Sequence, residues 1–336
     1  MRTLVSLLLL MTAGNGLAQE DLTDLYRSLK PSVVTIMAKN SDRAGGALGS
    51  GVVIDRDGHI MTAAHVVHTA NKILVRFADE QVIPAEIIIS NTTADLALLK
   101  LSHVPAGLVP ARLGDSDSAL VGKRVFIIGA PYGLNQSLSA GYVSGRINKE
   151  TLAGGEILQL VQTDAAVNQG NSGGPMFDSD GMVVGIVSSI LSKSGGFDGI
   201  GFAVAINVAK KTLLGGPSFW TGFDAVFLGP EFSAILNVPT GGGLLVQHVA
   251  EDSLASHAGL KAGTTVTRIF NRDFMLGGDV ILSIHGASCT QPHDFARIRR
   301  DLEQLRDGDP FVIEVLRAGK HLELTGIVDR AAWSSL

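Results

Sequence analysis

Gly170-Asn171-Ser172-Gly173-Gly174-Pro175 surrounds one serine with glycines. Glycine reaches backbone conformations that are closed to other residues, so this segment can approach a substrate carbonyl closely. The amides of Gly170 and Ser172 could then both point at one developing oxyanion. A serine alone is a poor nucleophile and needs a base and a group that orients the base. A tight turn without chemistry is the alternative for this segment.

Two upstream segments supply the missing partners. His65 stands in Thr62-Ala63-Ala64-His65-Val66-Val67, and Asp95 stands in the apolar run at residues 94–99. A carboxylate in an apolar run is informative, because burying it without a partner is costly. The order along the chain is therefore histidine, aspartate, serine, which is the order found in double β-barrel serine proteases. Taken singly, the same residues also fit a packed or solvated histidine and a turn or capping aspartate.

These motifs, with Gly49-Ser50-Gly51-Val52-Val53-Ile54 ahead of the histidine, resemble the HtrA (Deg) family of serine proteases. The resemblance implies a mainly β fold, with a chymotrypsin-like double β-barrel followed by a PDZ domain. It also implies a serine-type endopeptidase that works by acyl transfer. His65 would move the proton of Ser172, Asp95 would hold the imidazole, and the amides of Gly170 and Ser172 would form the oxyanion hole.

The family also suggests where a substrate side chain would bind. In chymotrypsin-like proteases, the residue six positions before the nucleophile lies at the base of the specificity pocket, and Ala166 stands there. Because a neutral floor cannot pair with Lys or Arg, we expect cleavage after small or aliphatic residues. Residues 199–204 resemble the strand that pairs with substrate backbone, which makes Gly201, Phe202 and Ala203 substrate-binding candidates. Apolar alternation into a barrel core is the alternative for this segment.

Composition agrees with a large β protein. The chain has 336 residues with 40 glycines and 18% charged residues, which suits turn-rich β structure around a substantial core. Short apolar runs alternate with Gly, Asp and Asn, a rhythm typical of β-barrels rather than of βαβ units. We expect the protease domain at residues 31–210, with one barrel at about 31–113 and another at about 120–209.

The N-terminus predicts export. Residues 1–18 combine a positive start, a short apolar core and the small-residue site Gly16-Leu17-Ala18, as a signal peptide does. A periplasmic protein beginning at Gln19 is favoured, and an uncleaved inner-membrane anchor facing the periplasm is the alternative. Residues 19–30 form an N-terminal segment through which the family's usual homotrimer would assemble. The net charge of −5 argues against nucleic acid as a partner.

We expect no cofactor and no metal. Cys289 is the single cysteine, and His65 and His68 have no evident third ligand nearby in the sequence. Acyl transfer requires neither kind of group. The sequence also has no Gly-x-x-x-x-Gly-Lys-Ser/Thr motif, so the expected proteolysis is independent of ATP.

Residues 216–330 resemble a PDZ domain of the HtrA type, through Gly242-Gly243-Leu244-Leu245-Val246, Ala258-Gly259-Leu260 and Gly278-Asp279-Val280. Such domains bind a C-terminal peptide as an added strand and capture its carboxylate with backbone amides. Thr221, Gly222 and Phe223 match the carboxylate-binding loop, and a helix near 292–306 would form the other wall. A simple turn at Gly222 is the alternative. Residues 261–276 depart from the family pattern and would reshape or cover the groove.

Three functions fit these features. The favoured one is a stress-response endopeptidase that degrades misfolded or damaged periplasmic proteins. The second is a regulatory protease that cuts one substrate after its PDZ domain binds a peptide. The third is a non-enzymatic chaperone or peptide-binding scaffold, against which the intact set of catalytic side chains argues.

Overall fold

The computed structural model describes residues 22–39, 46–133, 136–150, 157–190, 197–215, 221–239, 241–269, 272–291 and 294–328. The predicted signal peptide lies outside these residues, as do residues 19–21 of the N-terminal segment. Within the described ranges, no helix is both long and apolar enough to cross a membrane.

Residues 33–101 form a closed six-stranded barrel. Its strands are paired in the order β1-β2-β3-β6-β5-β4. Alternate apolar side chains of β5, such as Ile83 and Ile87, are buried inside, as expected for strands with one face towards a core. The elements are α1 (Leu22–Leu29), β1 (Val33–Lys39), β2 (Ala47–Val53), β3 (His59–Thr62), α2 (Ala64–Val67), β4 (Lys72–Arg76), β5 (Val82–Asn91) and β6 (Leu96–Leu101).

A second barrel follows. Its elements are β7 (Arg112–Leu113), β8 (Arg124–Gly129), β9 (Ser137–Glu150), β10 (Ile157–Thr163), β11 (Pro175–Asp178), β12 (Met182–Ile190), β13 (Gly201–Ala205) and α3 (Ile206–Leu214). The sheet order β11-β8-β9-β10-β13-β12 is closed by pairing between β11 and β12. The predicted mainly β, chymotrypsin-like double barrel is confirmed. One detail differs, because β7, which we expected in the first barrel, pairs in parallel with β12 of the second.

One apolar cluster joins the two barrels. It combines Val52 and Met61 of the first barrel with Phe126, Ile128 and Phe177 of the second, all fully buried. Burial of this apolar surface fixes the barrels against each other. Loops of the two barrels that meet near this cluster are therefore held at a defined distance from each other.

The C-terminal region is a third, separate sheet. Its elements are β14 (Phe223–Leu228), α4 (Pro230–Ile235), β15 (Gly243–Val249), α5 (Leu254–His257), β16 (Thr265–Ile269), β17 (Arg272–Leu276), β18 (Val280–Ile284), β19 (Ala287–Ser288), α6 (Asp294–Gln304), β20 (Pro310–Arg317) and β21 (Lys320–Ile327). The sheet order is β14-β15-β18-β20-β21, and β19 pairs with β18. The helix α6 lies within the range predicted for the groove wall.

The unusual segment 261–276 contains the hairpin β16–β17, which forms its own two-stranded sheet. Phe274 packs against Phe232, with ring centroids 5.1 Å apart. The side chain of Gln247 on β15 also accepts a hydrogen bond from the Met275 amide at 2.7 Å. The hairpin thus builds an extra core beside β15, and none of its described residues lines the apolar pocket that contains Phe223.

Candidate active site

His65 and Asp95 meet at the rim of the first barrel. His65 lies in α2, which directly follows β3, and Asp95 lies in the turn between β5 and β6. The imidazole Nδ1 is 2.9 Å from each carboxylate oxygen of Asp95. The backbone N–H of His65 donates to the same carboxylate at 3.0 Å. Because Nδ1 donates to the carboxylate, the other ring nitrogen, Nε2, is left as the proton acceptor.

The carboxylate sets the proton affinity of the imidazole. Burial on its own would lower the pKa of His65, but the hydrogen bond and the negative charge of Asp95 outweigh it and raise the pKa. The imidazole is about 50% exposed and the carboxylate 22% exposed, so the ring is accessible from outside while its partner is more enclosed. A raised pKa favours proton uptake by His65, which is what a general base requires.

Ser172 stands in a loop that the two barrels hold together. Its carbonyl accepts a hydrogen bond from the Ser50 amide on β2 at 2.8 Å. The next residue, Gly173, has a φ of +83°, and an added Cβ there would collide with Thr62 Oγ1 and the Ser50 carbonyl oxygen. Only glycine fits such a position without strain. The glycine after the serine therefore lets the nucleophile loop lie directly against the first barrel.

The peptide groups around Ser172 have fixed orientations. The Gln169 carbonyl accepts from the Tyr132 amide at 2.8 Å, and the Asn171 carbonyl accepts from the Gly174 amide at 2.9 Å. In a trans peptide the N–H points opposite to the C=O, so these bonds also orient the amides of Gly170 and Ser172. Within the described part of the chain, neither amide donates to a backbone oxygen. Both are therefore available to a ligand, as an oxyanion hole requires.

Two further serines support the site, and the sequence analysis did not identify them. The buried Ser50 hydroxyl donates to the Gly170 carbonyl at 2.7 Å and accepts from the Ala130 amide at 2.9 Å. Ser188 on β12 donates to Asp95 Oδ2 at 2.5 Å. The Ser188 carbonyl also accepts from the Ser172 hydroxyl at 3.5 Å. Their one local signal was the position of Ser50 between the two glycines of the Gly-Ser-Gly segment.

Ser172 and His65, the predicted nucleophile and base, are not directly hydrogen-bonded. Among the described residues, the Ser172 hydroxyl contacts the Ser188 carbonyl and makes no hydrogen bond to His65. Catalytic hydrogen bonds are often long in ligand-free sites and shorten when substrate is bound. Asn171, between Gly170 and Ser172, is buried, and its Oδ1 has no hydrogen-bond partner within the described ranges.

The predicted specificity residues lie in the second barrel. Ala166 is half-buried, and its carbonyl accepts from the Ser139 hydroxyl at 2.8 Å. The expectation that residues 199–204 pair with substrate backbone is wrong for Gly201, Phe202 and Ala203. Their strand, β13, is already paired with β10 on one edge and β12 on the other. Lining of a pocket by these three residues stays a prediction.

The described residues include one group with metal-ligand spacing, Asp55, Asp57 and His59 in the turn before β3. The Asp55 carboxylate accepts from the amides of Asp57 and His59, both at 3.0 Å, and lies 2.6 Å from His59 Nδ1. Burial is the largest single effect and raises the pKa of Asp55, but the hydrogen bonds and the charge of His59 together outweigh it, so the pKa is lowered. The group therefore already serves the turn, and it lies outside the His65 and Asp95 contact.

The predicted carboxylate-binding loop borders an apolar pocket. Gly222 has a φ of +75°, and an added Cβ would collide with Ser253. Thr221 and Phe223 line the pocket together with Leu254 and Leu302. The cavity itself measures about 30 Å³, and the space of about 410 Å³ around it includes open solvent.

The double barrel, with a histidine and aspartate pair facing a glycine-flanked serine, defines the class of trypsin-like serine proteases. Residues 49–186 match the family described as "Trypsin-like peptidase domain". The chain is 35% identical over 309 residues to the "Probable periplasmic serine endoprotease DegP-like" of Pseudomonas savastanoi pv. phaseolicola, which covers 90% of this chain and 60% of that protein. It is 36% identical over 282 residues to "Protease Do-like 1, chloroplastic" of Arabidopsis thaliana, covering 82% and 62% of the two chains.

The chain thus spans about 60% of the length of the curated relatives that it matches. Among solved structures, "HtrA-type protease AlgW with tripeptide" matches with 30% identity and a TM-score of 0.53, over 92% of this chain and 97% of that one. The chain belongs to the HtrA family of trypsin-like serine proteases.

Proposed function

We propose that this chain is a serine endopeptidase that degrades misfolded or damaged periplasmic proteins without ATP. The observation that carries the proposal is the His65 and Asp95 contact at 2.9 Å, at the cleft where the glycine-flanked Ser172 also lies. The similarity to proteins named periplasmic serine endoproteases supports both the activity and the compartment.

In the proposed mechanism, the Ser172 hydroxyl attacks a peptide carbonyl and His65 Nε2 takes its proton. Asp95 holds the Nδ1–H tautomer and stabilises the imidazolium that forms. The amides of Gly170 and Ser172 donate to the oxygen that becomes negative. His65 then returns the proton to the leaving amine, and water hydrolyses the acyl-enzyme by the same route in reverse.

The proposed substrates are unfolded chains with a small or aliphatic residue before the cut. Ala166, at the expected pocket floor, has no charge with which to hold a basic side chain. We propose that the walls of the pocket include Gly201, Phe202 and Ala203, because their strand, β13, lies against Val167, the residue next to Ala166. An added Cβ at Gly201 would fall 2.7 Å from Val167 Cγ2, so the two segments are in close contact. A peptide library in which basic residues were preferred would contradict this assignment.

The C-terminal sheet is proposed to be a PDZ domain, occupying about residues 216–330 after a protease domain at 31–210. Its partners would be C-terminal peptides bound beside Thr221, Gly222 and Phe223. The apolar pocket next to this loop supports a terminal residue with an apolar side chain. Assembly as a homotrimer through the N-terminal segment, removal of residues 1–18 and a role in the stress response belong to the same proposal.

The activity is tested with β-casein and with a fluorophosphonate probe that labels an activated serine covalently. The wild-type protein should digest casein and take up the probe, and Ser172→Ala should do neither. The matched control is Ser102→Ala, which removes an exposed hydroxyl near His103 and should leave both readouts unchanged. Probe labelling without casein digestion would indicate the regulatory protease. No labelling in the wild type would contradict the enzymatic proposal and favour the scaffold.

A further inference from the structure

The first strand of the C-terminal sheet has an open edge. Among the described strands, β14 is terminal in the sheet order and pairs only with β15. The Gly222 carbonyl accepts from the Ala250 amide at 2.7 Å, one position before the Phe223 and Val249 pair. In an antiparallel ladder, alternate residues direct their polar groups towards and away from the partner strand. The N–H and C=O of Phe223 therefore point to the open edge of β14.

This edge also borders the apolar pocket. Phe223 lines the pocket from β14, and Leu302 lines it from α6. A peptide that adds to β14 would thus lie between the strand and α6, with an apolar side chain in the pocket. The outward carbonyl of Phe223 is the acceptor that the peptide's first paired amide would use.

His68, a residue of the first barrel, already contacts that acceptor. The Nε2 atom of His68 lies 2.6 Å from the Phe223 carbonyl oxygen. Its other ring nitrogen, Nδ1, lies 2.7 Å from the Ser90 hydroxyl on β5. The His68 side chain is buried, with 6% of the residue exposed, so both contacts are shielded from water. His68 ends the helix α2, three positions after the general base.

The chemistry of the contact fixes the donor. A carbonyl oxygen only accepts, so Nε2 must carry the hydrogen, and Nδ1 of the neutral ring accepts from the Ser90 hydroxyl. Burial lowers the pKa of His68, although the Phe223 carbonyl and the charge of Asp224 oppose that effect. Asp224 in turn faces His248, with 3.6 Å between the carboxylate and Nδ1. Since Nε2 carries a hydrogen in both the neutral and the protonated ring, the contact does not require one protonation state.

A second bond joins the same surfaces. The amide of Glu251, just after β15, donates to the Asn71 side chain at 2.9 Å. Asn71 lies just before β4 on the first barrel. These two hydrogen bonds, one of them to the outward carbonyl of β14, therefore attach the C-terminal sheet to the first barrel.

We propose that His68 is a latch on the peptide groove, because its imidazole lies against the outward Phe223 carbonyl, at the open edge of β14 where an incoming peptide strand would have to lie. The proposal rests on the proposed function in one respect, namely that peptides bind along β14. Peptide binding must break the His68 contact, and so it detaches the C-terminal sheet from the short helix that carries His65. Removing the imidazole donor strengthens peptide binding, since the groove no longer has to be vacated.

The test measures peptide affinity in the Ser172→Ala protein, which cannot cut its ligand. The probes are fluorescein-labelled octapeptides ending in Val, Leu or Phe, each as the free acid and as the C-terminal amide. His68→Phe keeps an aromatic ring and removes the donor, and we expect about five-fold tighter binding of the free acid, the effect of one net hydrogen bond. His68→Gln restores an amide donor and should return the affinity towards that of the parent.

The matched control is His59→Phe, which makes the same exchange on the same barrel at a residue paired with Asp55 and not with the C-terminal sheet. It should leave the affinity unchanged. If His68→Phe does not fold, Asn71→Ala removes the second attachment from a partly exposed position and should also tighten binding.

Equal affinities in folded His68→Phe and its parent would overturn the latch and leave the groove intact. Absence of binding in all variants, or equal binding of free acids and amides, would overturn the groove itself. Neither result bears on casein digestion by the protein with Ser172 intact, so the failure of the latch and that of the proposed enzyme are distinguishable.

Discussion

Replacing Asp95 with asparagine isolates the electrostatic part of the proposed catalysis. Asp95→Asn keeps the side-chain shape and removes the charge that faces His65. The amide also donates towards Nδ1, which favours the imidazole tautomer whose Nε2 carries a hydrogen. That tautomer cannot accept the proton of Ser172. We therefore expect the maximal rate of casein digestion to fall while the fold is retained.

The size of the loss follows from the distance. At 2.9 Å, Coulomb's law gives about 1.4 kcal/mol for the imidazolium and carboxylate charges in water and about 6 kcal/mol at an effective dielectric constant of about 20. These energies correspond to rate losses of about ten-fold and about 10⁴-fold. The half-exposed imidazole reduces the electrostatic part through screening. With the unfavourable tautomer added, we expect a loss of about 10³-fold.

The pH profile gives a second, independent readout. A base must be unprotonated, and the pKa of His65 is raised, so wild-type activity should rise with a midpoint above the usual histidine value of about 6.5. In Asp95→Asn both raising effects are lost and burial, which lowers the pKa, remains. The acid limb should therefore move to lower pH. Casein digestion and the NMR titration of His65 between about pH 4 and pH 9 would measure both changes.

Asp55→Asn is the matched control, because Asp55 contacts His59 at 2.6 Å on the same barrel. It makes the same charge change at another carboxylate and histidine pair, and it should leave rate and profile unchanged. A loss below ten-fold in Asp95→Asn, or an acid limb that does not move, would refute the assigned roles.

Three further predictions concern the surroundings of the site and the C-terminal sheet. Ser188→Ala removes a hydrogen bond to the triad carboxylate and should lower kcat about ten-fold to 100-fold with KM unchanged, whereas Ser188→Thr should retain activity; steady-state kinetics check this. Gly173→Ala should abolish casein digestion, because the added Cβ collides with the first barrel. Gly107 also has a positive φ, +78°, but no atom lies within 4 Å of an added Cβ, so Gly107→Ala should cost only about 1–2 kcal/mol of stability. Asp279→Asn should lower the stability of the C-terminal sheet by about 3 kcal/mol in a urea titration followed by circular dichroism, because the fully buried carboxylate contacts the Arg317 guanidinium twice at 2.7 Å; an unchanged midpoint would contradict this.

The sequence contained enough to predict the double barrel and to select His65, Asp95 and Ser172. Each of the three stands in a local pattern that differs from its surroundings, and glycines mark where the chain turns tightly. The contacts made by Ser50 and Ser188 could not be found in this way, although Ser50 stands between two glycines. Ser50 contacts the Gly170 carbonyl across a separation of 120 residues, and such a contact depends on how the barrels dock. Serines are common at surfaces and turns, so residue type alone gives no signal.

The sequence also could not predict which strands pair with each other. An apolar run with glycines fits a central strand and an edge strand equally well, and β13 proved to be paired on both edges. Among the described residues, Ser189 and Ile190 of β12 pair with β13 on one edge only, and the neighbouring Ser188 carbonyl contacts the Ser172 hydroxyl. This stretch of β12 is thus better placed than β13 to pair with an extended substrate. The distinction depends on barrel closure, which is a property of the whole sheet.

The pKa values of the two histidines at the helix α2 are shifted in opposite directions, which agrees with the separate roles proposed for them. His65 is half exposed and faces a carboxylate, so its pKa is raised, as its proposed role of general base requires. His68 is buried against Ser90 and the Phe223 carbonyl, so its pKa is lowered and its ring is held as a hydrogen-bond donor. Because α2 spans only Ala64–Val67, a displacement at one histidine reaches the other through a single turn of backbone. If His68 acts as the proposed latch, release of the C-terminal sheet therefore acts on the same short helix that carries the proposed general base.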